Sequence, residues 1–321
     1  MKLGVMNPVF GSYTFEEALK FLYEYDVHEM EIGAGGYPGN NHLKSEELIN
    51  CDEKVKEFRA LMKKYDVSIS AIACHGNPLH PNKDIAAKFH NDFKNAILVA
   101  ERLGVKTIIG FAGCPGDCEE SKMPNWVTCA WPDDFGDILK WQWEEKVIPY
   151  WKEMAQFASS HGIEKIAFEM HPGFVVYNPE TCLKLRKAVG EIIGANFDPS
   201  HLFWQGIDPV EAIKALKGAI YHFHAKDTRI DEANTKVNGV LDTKNYGDIL
   251  GRSWVFRTIG YGHSKQVWND IISTLKAVGY DGSISIEHED ALMSPEEGLE
   301  KAIEFLKEVL ITKQAGEMWW A

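Results

Sequence analysis

No stretch of the 321 residues approaches the roughly 18–20 consecutive apolar side chains needed to span a bilayer. The opening segment, MKLGVMNPVFGSYTF, lacks the charged, apolar and small-residue succession of a secretory leader. A soluble cytoplasmic protein is therefore expected. Positive charge is also scarce: 34 Lys and Arg stand against 47 Asp and Glu, a formal net charge of −13. Phosphate backbones are bound by clustered cations, so nucleic acid is a poor candidate partner. Cysteine is sparse, at Cys51, Cys74, Cys114, Cys118, Cys129 and Cys182. Its one close pair, Cys114-Pro-Gly-Asp-Cys118, has no second pair at zinc-finger spacing, so reduced thiols are expected rather than a structural zinc site. A glycine-rich phosphate turn is missing after the first apolar run, where NPVFGSYTF stands instead, and this weakens a doubly wound nucleotide-binding sheet.

What the chain does have is alternation. Short runs rich in Val, Ile and Ala occur at residues 2–6, 29–33, 67–74, 105–111, 165–170, 193–198, 219–226 and 282–289. They show little polar alternation, as expected of strands buried on both faces of a parallel sheet. Amphipathic helical segments lie between them. TFEEALKFLYEY opens with a Thr cap and an acidic first turn, and KDIAAKFHNDFKNAILVAERLG ends on a glycine stop. The run 45–65 reads as one long helix with a break at Cys51-Asp52, and 143–162 as a single helix. Eight strands and eight helices in strict alternation predict a (β/α)8 TIM barrel, with residues 1–321 forming one domain. Two connections are too long for plain loops: one from Ala112 after the fourth strand, the other from Thr228 to His263 after the seventh. Both should rise from the C-terminal rim, where barrel loops build active sites.

The ends of the later strands carry the chemistry. The fifth ends at Glu169, the sixth at Asp198 with His201 close behind, the seventh carries His222 and His224, and the eighth ends at Glu287. Neighbouring parallel strands bring such groups to one level of a barrel. Two Glu, one Asp and one His form a mixed oxygen and nitrogen set suited to Mn²⁺, with Mg²⁺, Co²⁺ or Zn²⁺ as other candidates. In FEMHPGF, strand alternation puts Glu169 and His171 on the same face. A neutral imidazole there is well placed as a general base near pH 7. The two excursions together hold Trp126, Trp131, Trp141, Trp254, Phe256 and Tyr261, which would suit stacking on a sugar or a flat aromatic group; Trp126 and Trp254 are the candidate substrate contacts.

Glu169 in AFEMHP, Asp198 and His201 in FDPSH, His224 in FHAKD and Glu287 in SIEHED resemble the motifs of the xylose-isomerase-like superfamily of sugar isomerases and epimerases, across essentially the whole chain. The resemblance implies that Glu169, Asp198, His224 and Glu287 bind one divalent ion, usually manganese. It implies that His201, Arg229 and His75 (in ACHGNP) face substrate, and that Glu169 and Glu287 act as bases. The His171 position, the long aromatic rim and SWVFRTIGYGH further resemble the catalytic α-subunits of bacterial C-glycoside deglycosidases. That likeness implies a lyase that removes the proton beside the ketone of a 3-oxo-glycoside and expels the aglycone by β-elimination, with a separate small β-subunit and homo-oligomerisation. The alternative is a metal-dependent sugar isomerase or ketose 3-epimerase. No glycine-rich anion nest stands out on the last two strand-to-helix loops, so an unphosphorylated sugar is expected. Trp319 and Trp320 near the C-terminus are expected to dock on the barrel or on a partner.

Overall fold

The computed structural model describes residues 1–320. Its strands are β1 (Lys2–Met6), β2 (Glu29–Gly33), β3 (Ser68–Ala73), β4 (Thr107–Gly110), β5 (Lys165–Glu169), β6 (Ile193–Phe197), β7 (Ile220–Ala225), β8 (Asp227–Ile230), β9 (Trp254–Arg257) and β10 (Ser283–Ile286). Eight of them close into a parallel barrel in the order β1-β2-β3-β4-β5-β6-β7-β10. The expected TIM barrel is therefore observed. β8 and β9 form a separate antiparallel hairpin, absent from the sequence reading, which arises within the excursion after β7.

Strand alternation sorts the barrel residues into two compartments. Ile108, Ile166, Phe168, Phe197, Phe223 and Ile284 face the helices and belong to the main apolar core. The intervening positions face the lumen, where Ala71, Ile109 and Ala167 form a small apolar cluster of their own. The rest of the lumen is polar: Glu31, Asn196, His222, His224 and Ser285 are all fully or almost fully buried. Apolar helix-facing positions on nearly every strand explain why the sequence shows few clean polar alternations. The polar lumen, in turn, demands internal hydrogen bonds.

The helices follow their local signals. Thr14 and Glu17 form a reciprocal capping box, in which Thr14 Oγ1 accepts from Glu17 N at 3.3 Å and Glu17 Oε2 accepts from Thr14 N at 2.8 Å. The helix Lys83–Leu103 stops on Gly104 at φ +72°. The 45–65 run does break, into Ser45–Ile49 and Asp52–Lys64, because Cys51 is extended. The single helix expected over 143–162 instead begins at Asp134 and contains a π turn, Gln142–Val147, just before Pro149. Proline has no N–H to place in the ladder, and a local register shift absorbs the gap. The C-terminal tail is not docked on the barrel: Trp319 and Trp320 are 88% and 69% exposed and meet each other edge-on. The intervening KQAGE offers no apolar side chain long enough to seat it.

Candidate metal and active site

Glu169 is the last residue of β5, Asp198 follows β6 directly, His224 lies on β7 and Glu287 follows β10. One ligand atom from each falls within 4.8 Å of all the others. His224 Nδ1 lies 3.2 Å from Glu169 Oε2 and 3.0 Å from Glu287 Oε2. Three of these atoms, Asp198 Oδ2, Glu287 Oε2 and His224 Nδ1, are buried without a hydrogen-bond partner. Buried polar atoms are normally satisfied. Three orphans aimed at one point, with three carboxylates and one imidazole as donors, fit a divalent cation.

Behind this set stands a second layer of polar contacts. His224 Nε2 donates to Glu31 Oε2 at 2.8 Å, and Ser285 Oγ donates to the same oxygen at 3.0 Å. A donated Nε2–H leaves Nδ1 with its lone pair toward the ligand cluster, the usual way a carboxylate fixes the tautomer of a ligating histidine. Burial favours neutral His224, but Glu31, Glu287 and Glu169 push its pKa well above the usual imidazole range, so a cation bound at Nδ1 would take the place of a proton that these carboxylates otherwise favour. Glu169 is held differently. Its Oε1 accepts from His201 Nε2 at 3.0 Å, and its Oε2 from His75 Nε2 at 3.0 Å and from Asn196 Nδ2 at 3.3 Å. Burial would raise its pKa, but the imidazoles of His201, His224 and His75 more than offset this and hold it well below the usual carboxylate range. The chain of bonds continues down the lumen, where His222 Nδ1 donates to Asn196 Oδ1 at 3.1 Å and Ser70 Oγ lies 3.2 Å from His222 Nε2.

The site opens into a cavity of about 440 Å³, lined among others by His75, Phe111, Glu169, His171, Lys226 and Glu287. His171 thus shares the cavity with Glu169, as alternation requires. Its Nδ1 lies 2.6 Å from the Pro172 carbonyl and donates to it, leaving Nε2 as the unprotonated nitrogen. Burial, reinforced by His201, pushes its pKa down to about 3, so the ring is neutral.

Two further side chains in contact with this cluster were not expected from the sequence. Lys226, 2% exposed, places Nζ 3.1 Å from Asp198 Oδ2, 2.7 Å from Glu287 Oε2 and 3.0 Å from Glu289 Oε2. Neither the Asp198 nor the Glu287 contact is directed well enough to count as a hydrogen bond. Burial disfavours its charge, but Asp198, Glu287 and Glu289 hold its pKa well above the ordinary lysine range. Glu31 is the other. Both were legible as the lumen partners, two residues on, of His224 and Glu29.

Other expected substrate contacts are not brought to this cavity. His201 is buried behind Glu169 as its hydrogen-bond partner. Arg229 lies on the exposed face of the β8–β9 hairpin and lines a separate surface groove. Trp254 is buried, stacked on Trp204 at 4.6 Å with its Nε1 donating to the Val240 carbonyl. Trp126 packs edge-on against Tyr177 at 5.4 Å. Other aromatics face this space instead, Phe111 directly after β4 and Phe256 on β9, while the hairpin's own core claims Trp254.

The hairpin is fixed to the barrel by Asp227, which directly follows Lys226. Its two oxygens accept from the backbone N–H groups of Thr228, Gly260, Gly262 and His263, from His263 Nδ1 and from Trp268 Nε1. A Cβ at Gly262 would sit 2.4 Å from the Thr228 carbonyl oxygen and 2.5 Å from Asp227 Oδ1, so only glycine permits this approach.

Comparison with known proteins agrees with this architecture. The family described as Xylose isomerase-like TIM barrel matches residues 16–309. The chain is 40% identical over 313 residues to the uncharacterized protein YfiH of Bacillus subtilis (strain 168), covering 97% of this chain and 99% of that one. Among solved structures, IolI with a bound zinc atom superposes with a TM-score of 0.65 at 17% identity, covering 97% of this chain and 98% of that one. The 3-keto-D-glucoside 4-epimerase YcjR of E. coli superposes with a TM-score of 0.64 at 13% identity, covering 96% and 98%. At such identities the superpositions speak for the fold alone, while the family match spans nearly the whole barrel. The chain belongs to the xylose isomerase-like TIM barrel family.

Proposed function

We propose that this protein is a divalent-metal-dependent enzyme that removes the proton beside the carbonyl of a keto-sugar, and that the outcome is β-elimination from a 3-oxo-glycoside. The observation that carries the reading is the cluster of three orphaned ligand atoms, one of them on Glu287 in the cavity wall, beside a neutral imidazole and a buried ammonium that line the same cavity. The donor set is one that Mn²⁺ would accept, held by Glu169, Asp198, His224 and Glu287. Such an ion would polarise the ketone and acidify the neighbouring C–H bond.

The protein groups divide the remaining work. His171 Nε2 takes the proton from C2. The C–H electrons become the C1–C2 double bond, the bond from C1 to the aglycone breaks, and the leaving group receives the proton from His171. The products are an unsaturated keto-sugar and the protonated aglycone. Burial disfavours a lasting imidazolium, which favours passing the proton on rather than keeping it. Lys226 balances the carboxylates around the developing negative charge. Glu169, with three hydrogen-bond donors on its two oxygens, is poorly free to serve as a base. That saturation favours a one-base elimination over two-glutamate epimerisation.

One observation keeps the epimerase or isomerase reading alive: Glu287 Oε2 has no hydrogen-bond partner and faces the same cavity, so it can return a proton to another face or carbon. The experiment is incubation of Mn²⁺-loaded protein with a 3-oxo-glucoside in D₂O, with and without a candidate small subunit. Aglycone release establishes elimination. Solvent deuterium in an intact glycoside establishes epimerisation or isomerisation. His171→Ala should retain bound metal while losing about 10²–10⁴-fold in turnover; retained turnover would reduce His171 to a partner of the surrounding carboxylates.

A further inference from the structure

Adjoining the catalytic cavity is a second one, of about 570 Å³, whose character is different. The two share Tyr37, Phe111, His171 and Glu289, so they are chambers of one space. The catalytic chamber is ringed by carboxylates and imidazoles. The second is walled by Phe111, Phe174, Tyr246, Val255 and Phe256. Its aromatic rings come in two pairs: Phe111 and Phe174 stack at 4.2 Å between centroids with their planes 21° apart, and Tyr246 and Phe256 lie 5.8 Å apart and 15° from parallel. Four of these side chains are only half-buried and Tyr246 is exposed, so their faces are not consumed by the core.

We infer that this annex seats a neutral, planar aromatic group joined to the sugar held in the catalytic chamber. The inference rests on the reading that a keto-sugar reacts beside His171, which is one of the side chains lining both chambers. Planarity follows from the near-parallel pairs, which present flat faces for stacking. Neutrality follows from the charges. Of the two carboxylates on the annex wall, Asp290 is paired with Arg257 Nε at 2.9 Å, and Glu289 shares Lys226 with Asp198 and Glu287. The annex lining includes no Lys or Arg, and the neighbouring Lys226 is already shared among three carboxylates, so an anionic group such as a phosphate ester would meet repulsion from Glu289 and no cation to spare. The residues that build this wall come from the ends of β4 and β5 and from the β8–β9 excursion. It therefore differs from the tryptophan-lined rim that composition alone suggests.

The test uses the full-length, metal-loaded protein and three probes: methyl 3-oxo-glucoside, phenyl 3-oxo-glucoside and free 2-naphthol. The phenyl glycoside should bind about tenfold more tightly than the methyl glycoside, and naphthol should compete with the phenyl compound alone. Tyr246→Ala, which removes an exposed wall ring, and Ala291→Trp, which fills the annex, should each erase most of that preference while leaving methyl glycoside affinity unchanged. Equal affinity for both glycosides, or a preference that survives both substitutions, overturns the assignment. If neither glycoside binds or exchanges its proton, the reaction proposed above fails on its own. In that event, naphthol binding that is lost in Tyr246→Ala still supports the annex, and absence of naphthol binding overturns it.

Discussion

Two buried aspartates, 29 positions apart along the chain, sit on opposite sides of Lys226 and do opposite things. Asp227 is filled: six N–H groups converge on its two oxygens, and each belongs to the backbone or to a ring fixed by packing. Asp198 is half empty. Its Oδ1 caps the helix Pro199–Phe203 through Ser200 N at 2.8 Å, while its Oδ2 is buried without a hydrogen-bond partner and lies 3.1 Å from Lys226 Nζ. A carboxylate with no lone pair to spare holds structure together. One whose lone pair points, unpartnered, at a cluster of other donor atoms is held ready for a guest. The count of donors distinguishes the two aspartates, where burial and residue type alone would class them together.

That contrast can be broken by substitution. Asp198→Asn keeps the capping oxygen and removes the charge. It should abolish metal retention and lower turnover by about 10³-fold, with the unfolding midpoint of the metal-free protein unchanged; metal analysis, steady-state kinetics and urea unfolding read the three quantities. Asp227→Asn should do the reverse. Its amide cannot accept what the lost oxygen accepted, so several buried N–H groups go unpaired and stability should fall by about 3 kcal/mol, with metal still bound at stoichiometry. Equal stability losses in the two variants would erase the distinction. A smaller effect sharpens it: Glu31→Ala leaves all four ligands in place but frees His224 to change tautomer, and should weaken metal affinity by about 10–100-fold in a competition titration. Unchanged affinity would mean that Ser285 and packing alone fix the ring.

Legibility in the sequence follows the same physics. The barrel could be read from periodicity because each strand carries one apolar, helix-facing set that is insensitive to its exact ends. The clustering of Glu169, Asp198, His224 and Glu287 could be read because each stands at or next to the end of a strand, where parallel geometry brings side chains together. Glu31 and Lys226 obey the equally simple rule of alternation, yet neither draws notice beside the carboxylates and imidazoles: Glu31 lies inside β2, in the other half of the barrel, and Lys226, directly after β7, reads as a counter-ion in FHAKD. Trp126, Trp254 and Arg229 could not be placed because their positions depend on how an excursion folds back on itself. Nothing local in SWVFRTIGYGH announces that Trp254 will pair with Trp204 while Phe256, two residues on, turns toward the cavity, with Lys226 Nζ 4.8 Å from its ring.

The Asp227 anchorage also bears on how such a protein can change. It lies at the base of the hairpin, adjacent to Lys226 and three residues from His224, whereas residues 231–253 hang beyond the two paired strands. Length and composition can vary in that outer stretch without pulling on the ligand shell, because strain in it ends at the staple. The exposed part of that stretch, with Tyr246, is therefore an exchangeable cassette that can be traded, grafted or diversified, while buried Arg252 and Ser253 and the side-chain cluster at the strand ends are kept.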